Sequence, residues 1–310
     1  GNDSSGMPYV YQTLEDYQGV KGVDWQEESF RPTWSQNHDI SLRGGNKSTK
    51  YLASFSHFDE EGIFTTNTYA KNTARLKLDQ QVFKWLSFSA TVDYTNTKNT
   101  GIGTGGSTLS NLIMARPTGG LFTSDYDLRY AAQDPIFDEL NVNNTYYNPI
   151  VNAENTHAQT VSDRWNAYGS LNARLGKYVT FRTSGSYNLQ TTRTDRFYRD
   201  GTSTADRGSG PYGNSKFTRY MRWSVVNQLT YSQTFNKLHK LNAILGHETS
   251  YVQNQALEGE SKDFPMDDLM TDNLGLGAVP SYVRTSKSDS RRLSFFARAF
   301  YSYADKYMLT

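Results

Sequence analysis

The feature that most constrains this chain is a two-residue alternation of apolar and polar side chains, held for ten residues or more at a time. Successive side chains of an extended strand point to opposite faces, so the pattern specifies sheet with one apolar and one polar face. Residues 85–97 set Leu86, Phe88, Ala90, Val92 and Tyr94 against Trp85, Ser87, Ser89, Thr91 and Asp93. Residues 163–175 set Trp165, Ala167, Gly169, Leu171, Ala173 and Leu175 against Arg164, Asn166, Tyr168, Ser170, Asn172 and Arg174. Similar rows follow at Val179, Phe181, Tyr187 and Leu189, at Trp223, Val225, Leu229 and Tyr231, and at Leu241, Ala243 and Leu245. The clearest joins Leu293, Phe295, Ala297, Ala299, Tyr301 and Tyr303, with Phe296 and Phe300 as exceptions on the opposite side. Stretches 36–43, 50–58 and 69–79 complete nine strands, and a tenth begins at 306–310. In 50–58 the outward face stays open, because Tyr51, Ala53 and Phe55 compete with Leu52 and Phe58.

The connections alternate in length. Short ones fall at 44–49, 80–84, 176–177, 235–237 and 304–305, and long ones at about 59–68, 98–162, 191–215 and 253–288. Outer-membrane barrels have short periplasmic turns and long extracellular loops, so an up-and-down meander through a membrane produces this rhythm. The rows also exceed the ~5–6 residues of an average soluble strand and meet the ~9–11 that a tilted membrane strand needs. The expectation is an all-β, antiparallel up-and-down transmembrane β-barrel. A membrane sheet must close on itself to satisfy its edges, so further strands are expected before residue 36 and after 310. Residues 1–35 are then an extracellular-side loop segment and 36–310 a partial barrel. Two alternatives remain: a soluble carbohydrate-binding sandwich, in which the apolar rows would meet one another, and a passive porin or adhesin barrel.

Composition agrees with the membrane reading. Mean hydropathy is only -0.70 and the hydrophobic fraction 36%, yet aromatics reach 14%, with 22 Tyr and 16 Phe. Alternation of lipid-facing and lumen-facing residues cancels in the average. Trp165, Trp223, Tyr187, Tyr231, Tyr251, Tyr301 and Tyr303 stand near row ends, where a headgroup-level girdle would place them. Lys plus Arg (32) and Asp plus Glu (31) balance to +1, so no global field recruits nucleic acid. Cysteine is absent, which removes disulfides, thiolate zinc and thiol nucleophiles. The start GNDSSGMPYVYQ has neither the charged nor the apolar region of a signal peptide.

Residues 24–94 carry a more specific signal. Asp24–Trp25, Gly44–Gly45, Tyr51, Gly62–Ile63, the Arg75 to Asp79 strand end and Trp85–Leu86 occur in an order that resembles the early barrel of SusC-like TonB-dependent transporters of Bacteroidetes. Lys77 departs from the usual Asn, and YSYADKYMLT resembles a later Asp-Lys-Tyr turn. The resemblance implies a barrel of about 22 strands, a plug domain and TonB contact absent from this stretch, and an outer-membrane location. It further implies a SusD-like surface lipoprotein as partner, oligosaccharide or peptide as substrate, and long loops acting as lid. Turn conformations with positive φ are the expected role of Gly44, Gly45 and Gly62, and packing or interface roles that of Trp25 and Trp85.

No enzyme chemistry is expected. GIGTGGST at 101–108 lacks the strand–loop–helix frame of a phosphate loop, and HETSY at 247–251 lacks the second His of HExxH. Nothing forms a nucleophile elbow or a spaced carboxylate pair. Loop carboxylates Asp134, Asp138, Glu139, Asp263, Asp267 and Asp268 suit calcium chemically, but solvated charge is the simpler expectation, and no metal or cofactor is assigned. Arg164, Arg174, Arg182, Arg222, Arg292 and Arg298 face the polar side and offer a cationic ladder for anionic solutes or a plug. No catalytic or substrate-contacting residue is identifiable from the sequence.

Overall fold

The computed structural model describes residues 24–102, 149–200 and 210–310, with residues 15, 18, 22, 110, 112, 113, 202, 204 and 205 besides. Ten strands lie in one sheet in sequence order: β1 (Ser35–Gly45), β2 (Thr49–Glu61), β3 (Thr68–Phe83), β4 (Leu86–Thr100), β5 (Thr156–Arg174), β6 (Val179–Tyr198), β7 (Tyr212–Phe235), β8 (His239–Lys262), β9 (Val279–Tyr303) and β10 (Tyr307–Leu309). Every neighbouring pair is antiparallel. The all-β, up-and-down meander expected from the alternation is therefore present, as an open sheet. No helix among the described residues is long and apolar enough to cross a membrane.

The short turns are built by backbone that twists with the strands. Asn236 and Lys237 (φ 48° and 61°) and Ala304 and Asp305 (φ 51° and 55°) are the central pairs of left-handed turns in three-residue loops, Phe235 pairing with His239 and Tyr303 with Tyr307, and such turns follow the twist of the strands. Leu238 and Lys306 close them by donating N–H bonds to the Phe235 and Tyr303 carbonyls at 3.1 and 3.0 Å. Of the three glycines expected to supply positive φ, only Gly45 does (φ 146°). Gly44 instead gives room to Tyr51, whose hydroxyl lies 2.5 Å from where a Cβ would stand, and Gly62 gives room to the Asn67 Cβ at 2.7 Å.

Strands on the long-loop side run further than the alternation indicated. The connections expected at about 191–215 and 253–288 shrink to 199–211 and 263–278, because β6 to β9 contain 20, 24, 24 and 25 residues. Beyond the headgroups both faces of a strand meet water, so the outward side need not be apolar and the hydropathy signal stops while the backbone ladder continues. At ~3.3 Å per residue β7 is roughly 80 Å long, several times the apolar band it crosses. The expected loop 98–162 lies mostly outside the described residues, and β5 already begins at Thr156.

Register aligns the apolar rows into one continuous face. Ile40 pairs with Phe55, Leu42 with Ala53 and Ala53 with Leu76, which assigns Tyr51, Ala53 and Phe55 of β2 to that face and Leu52 and Phe58 to the other. The row continues through Leu76–Val92–Ala167–Tyr187–Trp223–Tyr251. No second sheet covers it among the described residues: Leu245 is 60% and Phe295 73% exposed, the reverse of a sandwich core. Aromatics border it above, where Tyr94 and Trp165 lie 4.5 Å and Trp223 and Tyr251 6.2 Å apart. They border it below through Phe83–Trp85, Tyr178–Tyr231 and His239–Tyr303. The eight residue steps from Trp223 to Tyr231 along a tilted strand span about 20 Å. Within the band Asn227 and His247 break the apolar pattern, facing one another at 3.5 Å.

Above the upper aromatic row two small clusters form. Asp24 caps helix α1 (Trp25–Ser29) by accepting from the Gln26 and Glu27 amides at 2.9 and 3.1 Å, and so turns Trp25 into a core with Phe64, Leu112 and Ala153. Helix α2 (Pro149–Glu154) contributes the last of these. The 263–278 segment, including the Met270–Leu276 3₁₀ helix, folds against the outward side of β6–β8. Leu274 and Phe264 sit beside Gly213, and Phe264 meets the fully buried Phe197 edge-on at 5.0 Å. Arg199–Asp267 at 2.6 Å and Arg193–Asp272 at 3.1 Å tie this strap down.

Candidate functional site

The polar side of the extended strands β6–β9, above the apolar band and opposite the strap, carries a connected set of polar and aromatic groups. Register brings Tyr198 beside Tyr212, Asn214 beside Glu260, Lys216 beside Glu258, and Glu258 and Glu260 beside Arg284 and Tyr282. Alternation sends all of these to the face opposite the strap. Glu258 is the hub. Arg284 donates to its Oε2 and Tyr282 to its Oε1, both at 2.9 Å, Asn214 reaches Oε1 at 3.4 Å, and Lys216 stands 3.6 Å from Oε2. The Arg284 guanidinium and the Tyr282 hydroxyl hold the Glu258 carboxyl at about 2, well below its usual range.

Beside it, Tyr212 donates to Glu260 Oε2 at 2.6 Å. Partial burial, then the Glu260 carboxylate, raises the Tyr212 phenol. Tyr212 and Tyr198 rings lie 5.5 Å apart, and the Arg284 guanidinium sits 5.4 Å over the Tyr282 ring. Arg284 engages Glu258 through one guanidinium nitrogen and keeps 68% of its side chain exposed. The wall thus offers preorganised ring faces, a free guanidinium edge and carboxylate oxygens. Rings of this kind stack on the apolar face of a sugar or peptide side chain while the charges bond hydroxyls or chain ends. The cluster escaped the sequence reading because its strands looked like loops; the one local signal was the alternation of Glu258 and Glu260, since Tyr198, Tyr212 and Tyr282 lie on three other strands.

The residues singled out from sequence are scattered. The six arginines share the inward face but not one row, so they form no ladder: Arg164 bonds Gln190 Oε1 at 2.9 Å, Arg182 bonds the Tyr168 hydroxyl at 3.1 Å, and Arg222 stands opposite Asn188. Asp267 is engaged with Arg199, Asp134, Asp138 and Glu139 lie outside the described residues, and no group of three or more His, Asp or Glu that could hold a metal occurs among the described residues. HETSY is strand, and of GIGTGGST only Gly101 and Ile102 are described. Trp25 packs in a core and Trp85 stacks on Phe83 at the lower aromatic border.

No protein-family model matches the chain. It is 24% identical over 307 residues to TonB-dependent receptor P3 of Formosa agariphila, covering 96% of this chain and 29% of the receptor. It is 22% identical over 320 residues to the TonB-dependent receptor SusC of Bacteroides thetaiotaomicron, covering 94% of the chain and 30% of that protein. The fold superposes on the RagAB peptide importer in its open-open state with a TM-score of 0.71 at 21% identity, over 96% of this chain and 33% of that one. The chain spans less than a third of the length of the curated relatives it matches. An open ten-stranded wall with an outward apolar band goes together with similarity, running through nearly all 310 residues, to a part of the TonB-dependent receptors that include SusC.

Proposed function

We propose that the chain forms part of the wall of an outer-membrane importer, energised through TonB and paired with a SusD-like lipoprotein, that takes up oligosaccharides or peptides. The observation that carries this reading is the two-faced wall: an apolar outward band between aromatic borders, and inside it a polar face that culminates in the Tyr198, Tyr212, Tyr282, Glu258, Glu260 and Arg284 cluster. Relatives that are receptors and an importer rather than enzymes support it. To the substrate contacts expected from the long loops we add this strand-borne cluster; of those loops, the 263–278 strap lies on the outward side. A passive pore has less support, since none of the relatives described is one.

The test is uptake by cells expressing the complete protein, with and without its lipoprotein partner. Tyr282→Ala should raise the half-saturating substrate concentration roughly tenfold, the loss of one stacking ring and its hydrogen bond. Uptake that survives removal of TonB, or that ignores both Tyr282→Ala and Glu258→Gln, rules the proposal out.

A further inference from the structure

The upper inward wall carries more positive charge than its own carboxylates neutralise. Register places Lys262 beside Tyr212, and Arg196 lies one row below Tyr198 on the same face. With Lys216 and Arg284 of the row beneath, four cations share this surface with two carboxylates, Glu258 and Glu260. The sharing is unequal. Glu258 takes both Arg284 and Lys216, and Glu260 gives one oxygen to Tyr212. Arg196 and Lys262 have no carboxylate partner among the described residues. Arg196 is exposed, and the Lys262 ammonium rests 5.8 Å over the Tyr212 ring.

These two cations flank the ring pair. Tyr198 and Tyr212 lie on adjacent strands with ring centroids 5.5 Å apart, Arg196 stands two residues before Tyr198 on β6, and Lys262 is the neighbour of Tyr212 on β8. With ~4.8 Å between strands and ~6.8 Å between same-face residues, the Arg196 and Lys262 Cα atoms are about 12 Å apart. Two long side chains can close that span onto one group above the rings. A flat aromatic floor fits a pyranose ring, and a flanking pair of cations fits a negative group carried on it. An extended peptide is the poorer fit, because it is held by adding main-chain hydrogen bonds to a free strand edge. β6, β7 and β8 are paired along both sides and offer none.

We propose that this part of the wall selects anionic oligosaccharides, seating a carboxylate- or sulfate-bearing sugar on Tyr198 and Tyr212 with its charge between Arg196 and Lys262. The inference narrows the importer reading above and rests on it. Calorimetric titration of the complete protein in lipid nanodiscs tests it with sugars in matched charged and neutral forms: tetragalacturonate and its methyl ester, and a sulfated galactan tetrasaccharide and its desulfated form. A tetraglutamate peptide is titrated beside them. At least one charged sugar should bind roughly tenfold tighter than its neutral match, and the pair showing that margin tells carboxylate from sulfate. Raising salt from about 50 to 500 mM should shrink the margin by screening. Arg196→Gln and Lys262→Gln should each cut it several-fold and together abolish it, whereas Lys287→Gln on the outward face of β9 should leave it in place.

Margins near unity in both pairs, no detectable binding of either charged sugar, tighter binding of tetraglutamate than of either, or a margin indifferent to the double variant overturns the inference. TonB-dependent uptake of a neutral sugar or a peptide, found alongside any of these, leaves the importer reading standing. Uptake independent of TonB overturns both.

Discussion

A methyl group added at Gly246 would overlap the ring of Phe296, its cross-strand partner on the inward face. This contact explains why an aromatic residue interrupts the polar row of β9: the ring lies over a glycine instead of projecting into the lumen. Gly246→Ala should destabilise the fold by about 1–3 kcal/mol, the range for overpacking, and Phe296→Leu should restore most of it, as read by urea unfolding of the reconstituted protein. Glu258 carries a second residue-scale consequence. Its folded carboxyl is held at about 2 against an ordinary 4.5, so its stabilising contribution is complete above the ordinary value and is lost as pH falls through the folded one. The stability difference between the native chain and Glu258→Gln should thus be constant from about pH 7 to 5 and close between about 4.5 and 2; a difference that already closes near pH 6 would contradict the Arg284–Glu258 arrangement.

At the scale of the strand, parity decides everything. One step along β8 moves a side chain from acyl chains to the watery interior, so Leu245→Arg should cost about 2–4 kcal/mol near the middle of the band, whereas Ser224→Arg on the inward face of β7 should cost little. Comparable losses at both sites, measured by unfolding in lipid vesicles, would mean that the faces are misassigned. The apolar parity of β4, β5 and β9 was legible in the sequence because Leu, Phe and Ala recur without interruption. That of β2 was not, since apolar residues occupy both parities there, and only pairing with Ile40, Leu42, Leu76 and Leu78 separated them. Asn227 and His247 were likewise illegible: as cross-strand partners they meet each other on the outward face, a fact that no single strand contains.

For the whole molecule, the prediction is that one surface of the sheet is lipid and the other water. The absence of cysteine makes single-cysteine labelling clean. Fluorophores at Leu171, Leu229 and Phe295 should be quenched by brominated acyl chains, and those at Ser170 and Ser294 should not. Quenching of neither set would point to a water-filled or dry protein interior on both sides. The long strands also raise the wall unevenly, from 11 residues in β1 to 25 in β9, so the rim is highest where the tyrosine–glutamate cluster and the strap stand back to back.

Period-two alternation and the rhythm of short and long connections determined by themselves the strand count, the meander and the apolar face of every strand but β2, because these depend only on side-chain parity and on where backbone can turn. Tertiary structure alone decided how far the strands continue past the membrane, which side the 263–278 strap covers, and which charges meet across strands. Those outcomes depend on register between residues distant in the chain, where water on both faces erases the hydropathy contrast while the hydrogen-bonded ladder persists.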